Sequence, residues 1–339
     1  MRDLKSIIQK FNQARVLVLG DLILDEFIWG DVDRISPEAP VPVVWAKKRS
    51  YMPGGAANVA NNIRSLGARV SITGVVGNDH NARVLIQELK KKNIDAKNIL
   101  VERSRHTTLK TRVIAGHQQV VRVDWEDRDT LKGRLNERII NYIKKNIQKY
   151  DAIIIEDYGK GLINPALLDE VIEAARENQK VITVDPKEEH FIYYQGVSCI
   201  TPNRKEAENA IRNIKIKDTE NRFKINSDRL TSAKDIETAG RQIMQYLDLD
   251  SLLITLGDEG MCLFEKNGKI THIPTVAQEV FDVSGAGDTV IAAFTLALCV
   301  GASKLQAAAI ANFSAGIVVG KMGVAVTNQK ELISRIRTK

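Results

Sequence analysis

Short apolar runs rich in β-branched residues alternate along this chain with longer stretches of helical periodicity. The runs span 15–19, 70–75, 152–155, 181–184 and 252–255. Each has the length of a strand and is apolar at successive positions, so both of its faces must be covered. The clearest helical patterns lie at 57–66, 82–92, 131–149, 165–178 and 233–246. This alternation predicts an α/β fold, a mostly parallel sheet with helices on both faces.

Two segments break the pattern. Residues 31–45 carry Pro37, Pro40 and Pro42, which exclude a helix and favour extended, edge-like strands. Residues 107–124 hold two strand-like runs, 109–114 and 119–124, flanking Ala115-Gly116-His117, a hairpin pattern. Together they predict a small β element, serving as a lid, as a contact between copies, or only as decoration of the sheet edge. The polar stretch 212–231 reads as an exposed loop.

At 339 residues the chain can bury a large core, and 44% hydrophobic with 27% charged residues excludes disordered and fibrous classes. Cys199, Cys262 and Cys299 lie far apart in apolar runs, without zinc or disulfide spacing. The first residues lack the apolar block of an exported protein, so a cytoplasmic location is expected. The most apolar region, 289–319, is interrupted by Lys304, Gln306 and Asn312, which argues for two buried helices and against a membrane span. The net charge of +7 suits anionic small molecules, and its basic residues are interleaved with acids, so no nucleic-acid partner is expected.

The strongest local signal is Asp282-Val283-Ser284-Gly285-Ala286-Gly287-Asp288, followed at once by an apolar helical run. Glycines entering a helix leave backbone N–H groups facing outward at the positive end of its dipole, an anion site. Asp288, in the first turn, could take a proton from a hydroxyl directed at that anion. By itself the segment reads first as a tight turn whose aspartate caps the helix. It is no Walker A loop, because no Gly-Lys-Ser/Thr follows, and no full dinucleotide fingerprint, because no third glycine follows Gly287 at the required spacing.

Two other segments add weight. In Pro53-Gly54-Gly55-Ala56-Ala57-Asn58 small residues let a ligand approach the backbone, and Asn58 offers a donor and an acceptor to a sugar hydroxyl. In Thr201-Pro202-Asn203-Arg204-Lys205-Glu206, Asn203 and Glu206 sit one helical turn apart, where they could converge on phosphates through Mg²⁺ or form a capping box.

These segments, in this order, resemble the ribokinase-like (PfkB) carbohydrate kinases across essentially the whole chain. Further likeness lies in Gly20-Asp21-Leu22-Ile23-Leu24-Asp25, in Arg34 to Val43 and in Gln278 to Thr289. It is closest to the branch that phosphorylates D-glycero-β-D-manno-heptose 7-phosphate at O1 in ADP-heptose synthesis, which serves lipopolysaccharide core or related glycans. The resemblance implies a three-layer α/β/α sandwich over residues 1–339, a single kinase domain, with lid-like β segments at about 31–45 and 107–124.

It also implies site roles. Asp288 would be the base and Gly285, Ala286 and Gly287 the anion hole. Asn203 and Glu206 would face ATP phosphates and Mg²⁺, Glu206 reaching the metal indirectly. Thr255, Gly257, Gly260 and Asn312 would line the nucleotide pocket. Asp21, Asp25, Gly54, Gly55, Asn58 and Asp157 would serve the sugar. A sugar that already carries a phosphate needs cations at its far end, and Lys110, Arg112, Arg122 and Lys160 are the candidates. ATP with Mg²⁺, a monovalent cation as a further candidate, and a homodimer closed through 31–45 complete the expectation. None of His80, His106, His117, His190 or His272 lies in the His-x-Gly-His setting of the nucleotidyltransferase that follows in two-domain members, so the kinase part alone is expected.

Overall fold

The computed structural model describes residues 4–116, 118–131, 133–220, 222–225, 227–277 and 279–337. The first three residues, His117 at the expected hairpin tip, and Gln278 lie outside the described residues. The strands are β1 (Arg15–Gly20), β2 (Leu22–Ile35), β3 (Pro42–Gly55), β4 (Arg69–Gly77), β5 (Asp95–Glu102), β6 (Thr108–Ala115) and β7 (Gln118–Trp125). They continue with β8 (Ala152–Glu156), β9 (Val181–Asp185), β10 (Cys199–Ile200), β11 (Ser251–Thr255), β12 (Met261–Glu265) and β13 (Ile270–Ile273). The helices are α1 (Leu4–Gln9), α2 (Ala56–Ser65), α3 (His80–Lys91), α4 (Arg134–Asn146), α5 (Pro165–Glu177), α6 (Arg204–Lys217), α7 (Ala233–Tyr246), α8 (Ala286–Cys299), α9 (Lys304–Val318) and α10 (Gln329–Arg337).

The large sheet has the order β13-β12-β11-β10-β9-β8-β1-β4-β5. It is parallel from β5 to β11, with β12 and β13 added antiparallel at one edge. Alternation along β1 shows why its sequence is apolar throughout. Leu17 and Leu19 join a core cluster with residues of α4, α5, α6 and α7, whereas Val16 and Val18 join one with α2, α3, α8 and α9. The expected strands and helices are therefore present, with ends shifted by a few residues. The predicted helix at 131–149 begins later, at Arg134, because Gly133 takes φ 65° and serves as its N-cap.

The second sheet, β3-β2-β6-β7, is the lid. Both segments that break the alternation, 31–45 and 107–124, supply strands as predicted, but β2 and β3 are longer than the sequence suggests, each running 14 residues from the lid into the floor of the molecule. Pro37 and Pro40 fall in the turn between them and Pro42 opens β3. The stretch 212–231 departs from an exposed loop. Its first residues complete α6 to Lys217, and Phe223, Ile225 and Leu230 are buried against the core, so scattered apolar side chains outweigh the polar average. The region 289–319 forms α8 and α9 as expected. Among the described residues no helix is long and apolar enough to cross a membrane.

Candidate functional site

The carboxyl ends of the central parallel strands, the helix starts that follow them and the lid strands converge on one place, as open α/β sheets favour. At its centre is the start of α8. Gly285 is the N-cap with φ 78°, and a Cβ there would stand 2.9 Å from Asn58 Nδ2, so the turn requires glycine on two counts. The amides of Ala286 and Thr289 donate to Val283 O and Gly285 O, while Gly287 N has no protein acceptor among the described residues. That N–H remains available to an anion.

Asp288 is 5% exposed. Its Oδ2 accepts from Asn58 Nδ2 at 2.6 Å and its Oδ1 from Tyr158 OH at 3.1 Å. Burial pushes its carboxyl up to about 6, the Asn58 and Tyr158 hydrogen bonds oppose that rise, and the charge of Asp25 adds to it. Such a group is ionised at neutral pH and still basic enough to accept a proton.

Glu156, Asp185 and Asp288 bring carboxylate oxygens within 4.8 Å of one another. Glu156 ends β8 and is paired in register with Asp185, which ends β9. Glu156 is fully buried, and neither of its carboxyl oxygens receives a hydrogen bond from the described residues. Burial first, then the charges of Asp185 and Asp288, holds its carboxyl well above the usual range. Asp185 is likewise raised by burial and by Glu206 and Asp288, although Thr201 Oγ1 donates to it at 3.2 Å. Three clustered carboxylates, that of Glu156 without hydrogen bonds, offer hard oxygen donors of the kind that hold Mg²⁺, so the residues present fit a divalent cation. Sequence reasoning missed Glu156 and Asp185. The available signal was an acid closing an apolar strand, Ile-Ile-Ile-Glu and Ile-Thr-Val-Asp, at the carboxyl end of a parallel sheet.

Asn203 and Glu206 form the capping box of α6: Asn203 Oδ1 accepts from Glu206 N at 2.9 Å, and Glu206 Oε2 from Asn203 N at 2.8 Å. Glu206 also raises Asp185, so the cap lies at the rim of the acidic cluster. Thr255 ends β11 and bridges to Asn203, and Gly257 and Gly260 follow in the turn before β12. Asn312 is buried on α9, where its Nδ2 donates to Pro274 O at 2.7 Å.

On the opposite side of Asp288, Gly55 is the N-cap of α2, and a Cβ on Gly54 would stand 2.4 Å from Asp25 Oδ2. Asp25 is paired with Arg112 at 2.5 Å. Two of the expected sugar ligands are occupied by the protein itself. Asp21 Oδ2 accepts from Tyr158 N and Lys160 N at 2.9 and 3.0 Å, and its buried carboxyl is raised to about 6, chiefly by desolvation. Asp157 accepts from Tyr194 OH, from the His190 ring and from Gly159 N. Both carboxylates fasten the 157–161 turn, which carries Tyr158 to Asp288. Lys110 and Arg122 share Asp124, and Lys160 pairs with Glu126 at 2.7 Å.

The chain is similar to known proteins. The bifunctional protein HldE of Geobacter sulfurreducens is 41% identical over 335 residues, covering 99% of this chain and 65% of that protein. HldE of Helicobacter pylori is 42% identical over 318 residues, again with 65% of its length covered. The chain thus spans a little under two thirds of these relatives. Among solved structures, Arabidopsis thaliana ribokinase complexed with ribose and ATP superimposes with a TM-score of 0.73 at 16% identity, covering 96% of this chain and 99% of that one. Phosphofructokinase-2 from Escherichia coli in complex with substrates and products gives 0.74 at 17%, with the same coverage. These place the fold as ribokinase-like. The model of the pfkB family carbohydrate kinases matches residues 13–331, and the chain belongs to that family.

Proposed function

We propose that this chain is an ATP-dependent kinase, a single functional unit over its length, that phosphorylates D-glycero-β-D-manno-heptose 7-phosphate at O1 in the cytoplasm. The observation that carries the reading is Asp288, a desolvated carboxylate held by Asn58 and Tyr158 beside the free amide of Gly287. Asp288 takes the proton of the O1 hydroxyl as that oxygen attacks the γ-phosphorus, and the bond from phosphorus to the ADP oxygen breaks. The turn Gly285-Ala286-Gly287 steadies the charge on the transferred group. Thr255, Gly257, Gly260 and Asn312 line the nucleotide side, and Asp25, Gly54, Gly55 and Asn58 the sugar side.

Glu156, Asp185 and, from the rim, Glu206 with Asn203 would hold Mg²⁺, which neutralises phosphate charge when bound. Asp21 and Asp157 serve the sugar through the turn they fasten. Lys110, Arg122 and Lys160 favour a phosphorylated sugar. An ADP-release assay with heptose 7-phosphate beside ribose, fructose and fructose 6-phosphate tests this. Turnover should be greatest on the heptose phosphate, and equal or higher turnover on another sugar would reassign the substrate.

The lid also supports a homodimer. Val121, Val123 and Trp125 lie exposed along the edge strand β7, with Ile35 exposed on β2 and Trp45 on β3, apolar side chains that a second lid would cover. Light scattering at working concentration should give twice the chain mass, and a monomer would defeat this part.

A further inference from the structure

The face of the lid that carries Asp25 is strongly cationic. Lys110 and Arg112 on β6, with Arg122 and Asp124 on β7, lie in register with it, whereas Thr111 and Glu26 bond to each other on the opposite face. Arg112 and Arg122 stand directly opposite one another across the two strands. Like charges in that position repel and destabilise the pair unless something negative lies between or beside them. The protein supplies acids off to each side: Asp124 accepts two hydrogen bonds from Arg122, at 2.9 and 3.0 Å, and Asp25 holds Arg112. Across the whole rim, Lys110, Arg112, Arg122, Arg128 and Lys160 face three carboxylates, Asp25, Asp124 and Glu126. Among these side chains the cations outnumber the carboxylates by two, which suits a phosphate dianion.

Asp25 is the member that cannot be both a partner of Arg112 and a free ligand. It is buried beside Asp288, and the absence of a side chain at Gly54 keeps open the space next to its Oδ2. Stripped of its partner, a buried carboxylate requires replacement hydrogen bonds, which sugar hydroxyls can supply. The guanidinium of Arg112 lies over the ring of Phe27, 5.4 Å from its centre, a flat support on which it can turn toward Arg122 without losing contact.

We propose that Arg112 and Arg122 read the distal phosphate of the sugar as a pair, and that the phosphate draws Arg112 off Asp25, freeing that carboxylate for a substrate hydroxyl. The pair is a specificity determinant: a sugar without the phosphate meets a hydroxyl site already closed by Arg112. This rests on the heptose-phosphate kinase reading above.

The test uses the full chain, ATP, the heptose with and without its 7-phosphate, and inorganic phosphite as a detached dianion. Wild type should favour the phosphorylated sugar by about 10²-fold or more, the range in which sites built around polar groups discriminate. Phosphite at tens of millimolar should raise turnover of the unphosphorylated heptose by roughly 10-fold or more, and Arg112→Ala should abolish that activation. In binding measurements, Asp25→Asn should tighten phosphite about 10-fold, because Arg112 no longer has to be pulled from a charged partner. A phosphite affinity unchanged in Asp25→Asn, or activation that survives Arg112→Ala, overturns the proposal while leaving the kinase reading intact. Absence of turnover on either sugar removes the heptose-phosphate reading, and the proposal with it.

Discussion

Asp288→Asn is expected to lower kcat by about 10²-fold or more while the fold and sugar binding persist, the range for losing a general base. The fold should tolerate the change. The new amide can still accept from Tyr158 OH, and Asn58, whose Oδ1 is buried without a partner, can turn its amide to accept from the new NH₂. Stability should rise. A carboxyl whose value moves from 3.8 to about 6 on folding lends stability below pH 3.8 and loses it as pH rises through 6. At neutral pH its charge therefore costs on the order of 3 kcal/mol. In wild type, log kcat/KM should climb with pH and level off above about 6, the value of the free enzyme, and in the variant this limb should vanish. Near-normal turnover in Asp288→Asn would sink the assignment of the base.

Glu156→Gln should separate stability from function. Glu156 has a raised carboxyl, so the stability tied to its protonated form is complete below its ordinary 4.5 and disappears as pH rises through its elevated folded value. Without a divalent cation, wild type should therefore melt at a lower temperature at pH 8 than at pH 6. Mg²⁺ should raise the melting temperature more at pH 8, since it replaces the missing protons. In Glu156→Gln an uncharged amide of the same shape can donate to Asp185, so the melting temperature at pH 8 should increase by a few degrees. The Mg²⁺ response should shrink, and turnover should fall on the order of 10²-fold, as when one electrostatic contact to the transferred group is lost. A lower melting temperature, or an undiminished Mg²⁺ shift, would count against the cluster as a cation site.

Much of this architecture is legible in the sequence because the signals are local. A strand buried on both faces must be apolar at successive positions, and a turn that enters a helix at φ 78° favours glycine, as at Gly285. The acidic cluster is not local. Glu156 and Asp185 are neighbours only because β8 and β9 pair in that register, and nothing within either strand reveals it. The same limit hid the pairing of Asp25 with Arg112 and the use of Asp21 and Asp157 to hold a turn, since each contact joins segments far apart in the chain. The Asn203–Glu206 motif was ambiguous because both readings occupy the same atoms. The capping box aligns the carboxylate that also borders the cluster.

The two long lid strands have a mechanical consequence. At about 3.3 Å per residue, 14 residues amount to an arm of roughly 45 Å when straight, and the register shifts at Trp29/Gly30 and Val32/Arg34 shorten and bend it. Its inner end is no separate hinge, because β3 passes directly into Gly55 and α2, and β2 holds Asp25 three residues beyond its start. The lid and the floor of the cleft are one continuous lever. Whatever grips its outer end, a neighbouring molecule included, also sets how closely Asp25 and Asn58 stand to Asp288.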